Sequence, residues 1–382
     1  MNRSVLFVIT GLGRGGAESQ LVRIAIDLRH KGWKVAVLAI CEPTDFLPLL
    51  GKESIEVYSC NIKRGHLRSI LGLFAACKKL KATVRLVRAD VLVCFMFHAY
   101  FFGRVIGSFS NVPVVSSVRT EKNNWVRRFL TRITDKYSCI TVFNSRKISE
   151  KAVRKRYVSE ERVRVIPNGV DTRRFALTSA KDDSIKDLKI DSDAFVWVSV
   201  GRLERPKDYP NLLRAFLKVK KSKNTVLLIA GKGSQLRKLQ GIARKLRISE
   251  RVHFLGEIDN IPGLLSCADA LVISSAWEGL PNSLLEALAS GLPAVSTDVG
   301  GVREVMNGSS TCGFVVRPKN SDALADAMLE LMQLTAAERR SIGQKQRERI
   351  LNVHDFAKVV DSYEGILLEC IERFKARGTH KT

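Results

Sequence analysis

Short apolar runs punctuate the chain, and between them apolar residues recur at helical spacing. Val5–Ile9, Lys34–Ile40, Asp90–Phe97, Val112–Val118 and Val163–Ile166 form a first set. Phe195–Val200, Val226–Ala230, Val252–Gly256, Ala270–Ile273, Leu292–Thr297 and Gly313–Val316 form a second. Near-continuous apolar runs of this length read as strands buried in parallel sheets. Leu21, Ile24, Ala25 and Leu28 repeat with a helical period, as do Leu284, Leu285, Leu288 and Ala289. Strands alternating with helices predict an α/β architecture.

The two sets are parted by the turn sequence Pro167-Asn-Gly-Val-Asp171 and a polar stretch to Asp193. A chain of 382 residues is also long for a single core. The expected organisation is a Rossmann-like domain over 1–170, a linker over 171–193 and a second Rossmann-like domain over 194–350. Residues 351–382 then form a C-terminal helix crossing back to the first domain. Asp191-Ser-Asp193 is an Asp-x-Asp pair of a kind that can hold a metal, but it precedes a strand at a domain edge and reads as surface loop.

The most informative stretch is Ser274 to Gly291. The run Ala270–Ile273 ends in Ser274-Ser275, Glu278 follows, and Pro281 suits a first helical position. Gly291 and Pro293 stop the helix. Glu278 then lies at the helix mouth and Glu286 about two turns on, with free helix N–H groups between them. A nucleotide-linked sugar fits such a site. Glu286 can accept from a ribose diol, the amides can hold a diphosphate, and Glu278 can hold sugar hydroxyls. The alternative is a loop carboxylate beside a solvated one on the helix face.

Glu278, Glu286, Ala287 and Gly291-Leu-Pro293 together resemble the signature of glycosyltransferase family 4. The resemblance extends over nearly the whole chain. It implies the GT-B fold, two facing Rossmann-like domains with a cleft between them. It also implies a metal-independent transferase, mostly retaining, that uses nucleotide-sugar donors. Gly201-Arg-Leu resembles the family segment in which an Arg and a Lys grip the donor diphosphate, here Arg202 and Lys207. Gly231, Leu255 and Ile258 stand where the family contacts the base, and Leu280, Asn282 and Ser283 complete the implied donor site. Pro281 occupies a place where the family commonly has Gly, so the diphosphate must rely on the amides of Asn282 and Ser283.

Thr10 to Glu18 is glycine-rich. Gly11, Gly13 and Gly16 match a dinucleotide fingerprint, with Glu42 after the second strand as its acidic residue. The Gly-Gly-Ala-Glu ending resembles instead the family's N-terminal loop, placing Gly13, Gly15 and Gly16 at the donor diphosphate and sugar. His98, after the run Asp90–Phe97, matches an active-site histidine of the family. The loop from Arg119 to Glu121 is expected to meet the acceptor.

Charge adds a partner. The net charge is +25, with +18 of it in residues 1–170 and +7 in the remainder. Residues 61–89 hold eight basic and no acidic side chains, among them Lys78, Lys79 and Lys81, interleaved with Leu73, Phe74, Leu80 and Val84. This reads as a basic amphipathic helix suited to an anionic membrane surface, or as a solvated cationic face over a core stripe. A second basic run spans Arg146 to Arg156. No nucleic-acid motif accompanies the charge, so nucleic acid is not an expected partner. The eight cysteines are scattered without Cys-x-x-Cys spacing, which suits reduced thiols. No apolar run reaches the length of about 18 residues that spanning a membrane needs, and no leader segment is evident.

The expectation is therefore a cytoplasmic enzyme, peripheral on the inner face of a cytoplasmic membrane. It moves a hexose or N-acetylhexosamine from a nucleotide sugar, with uridine favoured by family frequency, to a lipid-diphosphate-linked saccharide of cell-surface polysaccharide or lipopolysaccharide. No cofactor and no metal ligand set are expected. Two alternatives stay open: a nicotinamide-dependent oxidoreductase, and a non-catalytic basic membrane-binding module.

Overall fold

The computed structural model describes residues 3–63, 70–120, 124–176, 188, 190–191, 193–222, 224–306 and 314–379. Two compact units divide the chain, Met1–Asn168 with Ala357–Thr382, and Gly169–Phe356. Most of the polar stretch between Thr172 and Asp193, together with Arg64, Leu67, Arg68 and Glu121, lies outside the described residues.

The first unit runs β1 (Ser4–Ile9), α1 (Gly16–His30), β2 (Lys34–Ala39), α2 (Leu47–Lys52), β3 (Glu56–Ser59), α3 (Ile70–Val87), β4 (Val91–Phe95), α4 (Phe97–Ser110), β5 (Val114–Val118), α5 (Trp125–Thr134), β6 (Ile140–Phe143), α6 (Arg146–Arg154) and β7 (Val163–Val165). Its seven strands are parallel, in the order β3-β2-β1-β4-β5-β6-β7. Apolar side chains of β1, β2 and β4 bury one face against α3, α4 and α6.

The second unit runs β8 (Phe195–Val200), α7 (Tyr209–Ser222), β9 (Thr225–Ala230), α8 (Leu236–Lys245), β10 (Val252–Gly256), α9 (Ile261–Ser266), β11 (Ala270–Ile273), α10 (Asn282–Ala289), β12 (Ala294–Thr297), α11 (Val302–Met306), β13 (Phe314–Val316), α12 (Ser321–Gln333) and α13 (Ala336–Val353). Its six strands are also parallel, ordered β10-β9-β8-β11-β12-β13. Alternate residues along β8, β9 and β11 feed two separate cores, one on each face of the sheet. This is why the runs lack a polar face.

A further helix follows α13. α13 stops at Val353, and α14 (Phe356–Thr379) begins after a bridge in which Val170 pairs with Asp355. Within the first unit α14 is fastened by polar contacts. Trp33 Nε1 donates to Glu364 at 2.9 Å, Lys31 pairs with Glu364 at 2.7 Å, and Arg164 pairs with Glu369 at 3.2 Å.

Each sheet has one switch point, β1/β4 in the first unit and β8/β11 in the second. Ligands of open parallel sheets bind beyond the carboxyl ends of the strands at such points. Four loops follow these strands, and they carry most of the residues singled out from sequence.

Candidate active site

In the second unit the loop after β8 is stitched to the loop after β11. Ser274 Oγ donates to the Lys207 carbonyl at 2.8 Å, and the Ala276 amide to the Pro206 carbonyl at 2.8 Å. Lys207 Nζ lies 2.8 Å from the Glu278 carboxylate, and Ser275 Oγ donates to the same carboxylate at 3.2 Å. Both members of this ion pair are about one-fifth exposed, so the site stays open to a ligand.

Backbone packing holds the loops at these distances. Gly231 has φ +140, and a side chain there would run into the Gly201 carbonyl. Gly300 has φ +49, and its missing side chain leaves room for the Gly279 carbonyl, which also accepts from the Gly301 amide at 2.8 Å. Only glycine tolerates both the conformation and the approach.

α10 begins at Asn282, with Pro281 as its N-cap residue at φ −65 and ψ 122. The sequence places this proline inside the first turn. It stands one place earlier because its extended ψ carries the chain in from Leu280, which is itself buried. The amides of Asn282 and Ser283 thus open α10. The Ser283 hydroxyl is buried and has no hydrogen-bond partner among the described residues. A helix mouth with an unpaired buried hydroxyl suits an anion with several acceptor oxygens.

Glu286 sits one turn further on. Its carboxylate has no hydrogen-bond partner among the described residues, and burial pushes its pKa up to about 7, against the pull of Arg174 and Lys207. Vicinal hydroxyls would supply such a carboxylate with two donors. Arg202 is exposed at the end of β8, while Leu255 and Ile258 are half-buried around β10. Ser275 and Arg174 belong to this group as well. The sequence marked Ser275 only as a polar turn, and Arg174 only as one cation in a polar stretch.

In the first unit, the loop 10–15 leaves β1 and Gly15 caps α1. Asp45 braces this loop by accepting from the Arg14 amide at 3.1 Å. β4 is shorter than its apolar run, because Met96 turns the chain at φ +72 and Phe97 opens α4. His98 therefore stands on the first turn of a helix, its ring in edge contact with Phe97 at 5.4 Å. A positive φ on a methionine costs on the order of 1 kcal/mol or more, and such strain gathers at functional sites.

Arg119 stands just past the end of β5. It is buried, and its guanidinium donates to Ser117 at 2.8 Å, to Asn168 at 2.6 Å and to Tyr363 Oη. It also stacks over Phe95 at 4.5 Å. These bonds tie α14 to the end of β5. Lys78 and Lys79 are exposed on α3 and Lys81 is half-exposed, with Phe74 and Leu86 also outward and Ala76, Leu80 and Val84 in the core.

Residues 14–174 match the family model Glycosyltransferase Family 4, and residues 180–349 match Glycosyl transferases group 1. The two matches are consecutive and account for most of the chain, which belongs to this family of glycosyltransferases. It is an enzyme of the GT-B type. It is 25% identical over 324 residues, 80% of either chain, to the UDP-Gal:alpha-D-GlcNAc-diphosphoundecaprenol alpha-1,3-galactosyltransferase of Escherichia coli. It is 23% identical over 344 residues to the N-acetylgalactosamine-N,N'-diacetylbacillosaminyl-diphospho-undecaprenol 4-alpha-N-acetylgalactosaminyltransferase of Campylobacter jejuni, covering 85% of this chain and 89% of that one. Among solved structures, Anabaena Alr3699/HepE in complex with UDP and glucose superposes with a TM-score of 0.84 at 20% identity, over 96% of this chain and 100% of that one. The nicotinamide reading of Gly11, Gly13, Gly16 and Glu42 gives way to this assignment, and so does the non-catalytic one.

Proposed function

We propose that this glycosyltransferase moves a hexose or N-acetylhexosamine from a UDP-linked donor to a saccharide carried on a lipid diphosphate, with retention at the anomeric carbon. The reading is supported chiefly by the group at the β8/β11 switch point, where Lys207 and Glu278 on two joined loops precede the Ser283 hydroxyl and Glu286 on α10. Glu286 accepts from the ribose hydroxyls. The amides of Asn282 and Ser283, the Ser283 hydroxyl, Arg202 and Lys207 take the diphosphate, whose charge grows as the bond to the sugar breaks. Glu278 takes sugar hydroxyls. Gly231, Leu255, Ile258 and Leu280 line the nucleoside end.

In the first unit, Gly13, Gly15, Gly16 and His98 share the switch point of their own sheet and serve the sugar and the incoming acceptor. The acceptor hydroxyl bonds to the anomeric carbon, the bond to the diphosphate breaks on the same face, and the departing phosphate takes the hydroxyl proton. No group outside the two substrates is consumed.

The lipid-linked acceptor is supported by the +18 charge of residues 1–170 and by the printed acceptors of the two relatives. No helix among the described residues is long and apolar enough to cross a membrane. The proposed attachment is peripheral, on the inner face of the cytoplasmic membrane. Lys78, Lys79 and Lys81 contribute attraction of about 1 kcal/mol each near an anionic surface. The test is transfer of labelled sugar from a panel of UDP-sugars to a polyprenyl-diphosphate saccharide in vesicles, with the anomeric configuration of the product read by NMR. Product with the donor's configuration supports the reading. Inversion would refute retention, and no product from any UDP-sugar would refute the donor class.

A further inference from the structure

α5 is built inside out. Thr131 and Thr134 face the protein and are buried, at 1% and 5% exposure, while Trp125 and Phe129 stand out at 73% and 57%, with Ile133 and Val126 beside them. The inward face is polar because it meets a buried cation. Arg104 Nη1 donates to the Thr131 carbonyl at 3.2 Å and to Thr134 Oγ1 at 3.3 Å, and Tyr100 Oη lies 3.2 Å from Thr131 Oγ1. With α4 claiming the threonines, the apolar stripe of α5 has nowhere to go but outward. Trp125, Phe129 and Ile133 follow at helical spacing, so the stripe runs about 12 Å along the surface.

Its surroundings define what covers it. α5 contains Arg127, Arg128 and Arg132 and no acidic residue, and Lys136 follows. Arg128 and Arg132 flank the stripe on one side. A second copy of this chain seated on the same face would bring these arginines against each other. An anionic surface with an apolar layer beneath it satisfies both features at once. α3, which packs on α4 as α5 does, adds outward Phe74, Leu86, Lys78 and Lys79.

We propose that α5 is an interfacial docking helix. Trp125, Val126, Phe129 and Ile133 enter the headgroup–acyl boundary of an anionic bilayer, and Arg128 and Arg132 pair with lipid phosphates. This rests on the membrane-linked reading of the acceptor, and gives it a specific device that the basic run of α3 does not supply.

Trp125 is its own reporter, since Trp33 and Trp197 are buried and Trp277 is half-buried. The full chain is titrated with vesicles rich in phosphatidylglycerol and, separately, with phosphatidylcholine vesicles, while emission and sedimentation are followed. Anionic vesicles should shift the emission to the blue, and Trp125→Phe should abolish the shift. The double variant Trp125→Ser, Phe129→Ser should lose about tenfold or more in partitioning, since two exposed rings no longer leave water. Its melting temperature and its response to UDP should match the wild type. Transfer to a water-soluble short-chain diphosphate saccharide should survive in this variant, while transfer to the vesicle-embedded acceptor falls. If the acceptor reading alone is wrong, neither acceptor takes sugar but the emission shift and its loss in the variant persist, which supports the docking helix. Unchanged Trp125 emission on anionic vesicles, or equal partitioning of the double variant, would overturn it. So would a dimer in solution that the double variant abolishes.

Discussion

Lys207 and Glu278 hold each other at 2.8 Å across two loops that leave neighbouring strands of one sheet. In the proposed reaction a diphosphate competes for the ammonium, and the sugar hydroxyls compete for the carboxylate. The exchange costs little, because each charge trades one partner for another and neither is left unpaired.

Lys207→Ala should therefore lower turnover by roughly 100-fold, about 3 kcal/mol of lost charge stabilisation. The melting temperature should move little. Steady-state kinetics and a thermal melt on one preparation check both halves. Turnover within a few-fold of wild type would remove Lys207 from the reaction, and dependence on an added divalent ion for the wild type would contradict a diphosphate neutralised by side chains.

Glu286 makes the protein's behaviour depend on pH. Its folded-state pKa of about 7 lies above the ordinary 4.5, so the folded chain holds this proton more tightly than the unfolded chain does. Stability is then greatest below about 4.5 and falls as pH rises through 7, by at most about 3 kcal/mol. Donor affinity should run the other way, rising as the carboxylate ionises and can accept from both ribose hydroxyls. Glu286→Gln should flatten both trends between pH 5 and 8, as followed by urea unfolding and by UDP titration. A wild type whose UDP affinity is level across that range would contradict the ribose role.

Arg119→Met should cost stability and leave UDP binding unchanged. Its buried guanidinium makes three side-chain bonds, and charged hydrogen bonds are worth roughly 1.5–3 kcal/mol each before compensation. Tyr363→Phe, which removes one of the three, should do the same to a lesser degree. A variant that melts like wild type but needs far more acceptor for the same rate would restore Arg119 to the acceptor site.

Much of this architecture was legible in the apolar runs, because parallel strands covered on both faces leave a continuous signal. Ala270–Ile273 is the same in sequence and structure. β3 and β6 escaped notice for opposite reasons. β3 is a half-buried edge strand reading Glu-Val-Tyr-Ser, and β6 is four residues embedded among Cys, Ser and Thr. The residues proposed for the donor were legible as spacing around Glu278 and Glu286. The depth of Arg119 was not, since its partners Asn168 and Tyr363 are far away in sequence. α5 was invisible for a related reason. Its outward apolar face exists only because Arg104, on another helix, takes the threonines.

The proposed function requires the β8/β11 switch point to bind a uridine diphosphate through Glu286 and the start of α10. A thermal-shift titration with UDP on wild type and Glu286→Ala tests it most directly. At about 100 times the dissociation constant, binding adds about 2.7 kcal/mol to the folded state. The wild type should therefore melt several degrees higher, with the gain growing with the logarithm of UDP concentration. In Glu286→Ala the same gain should need roughly ten-fold or more UDP, from the loss of about 1–3 kcal/mol of hydrogen bonding. A wild-type melting temperature that millimolar UDP leaves unchanged, or a Glu286→Ala titration that overlays the wild type, would contradict the account.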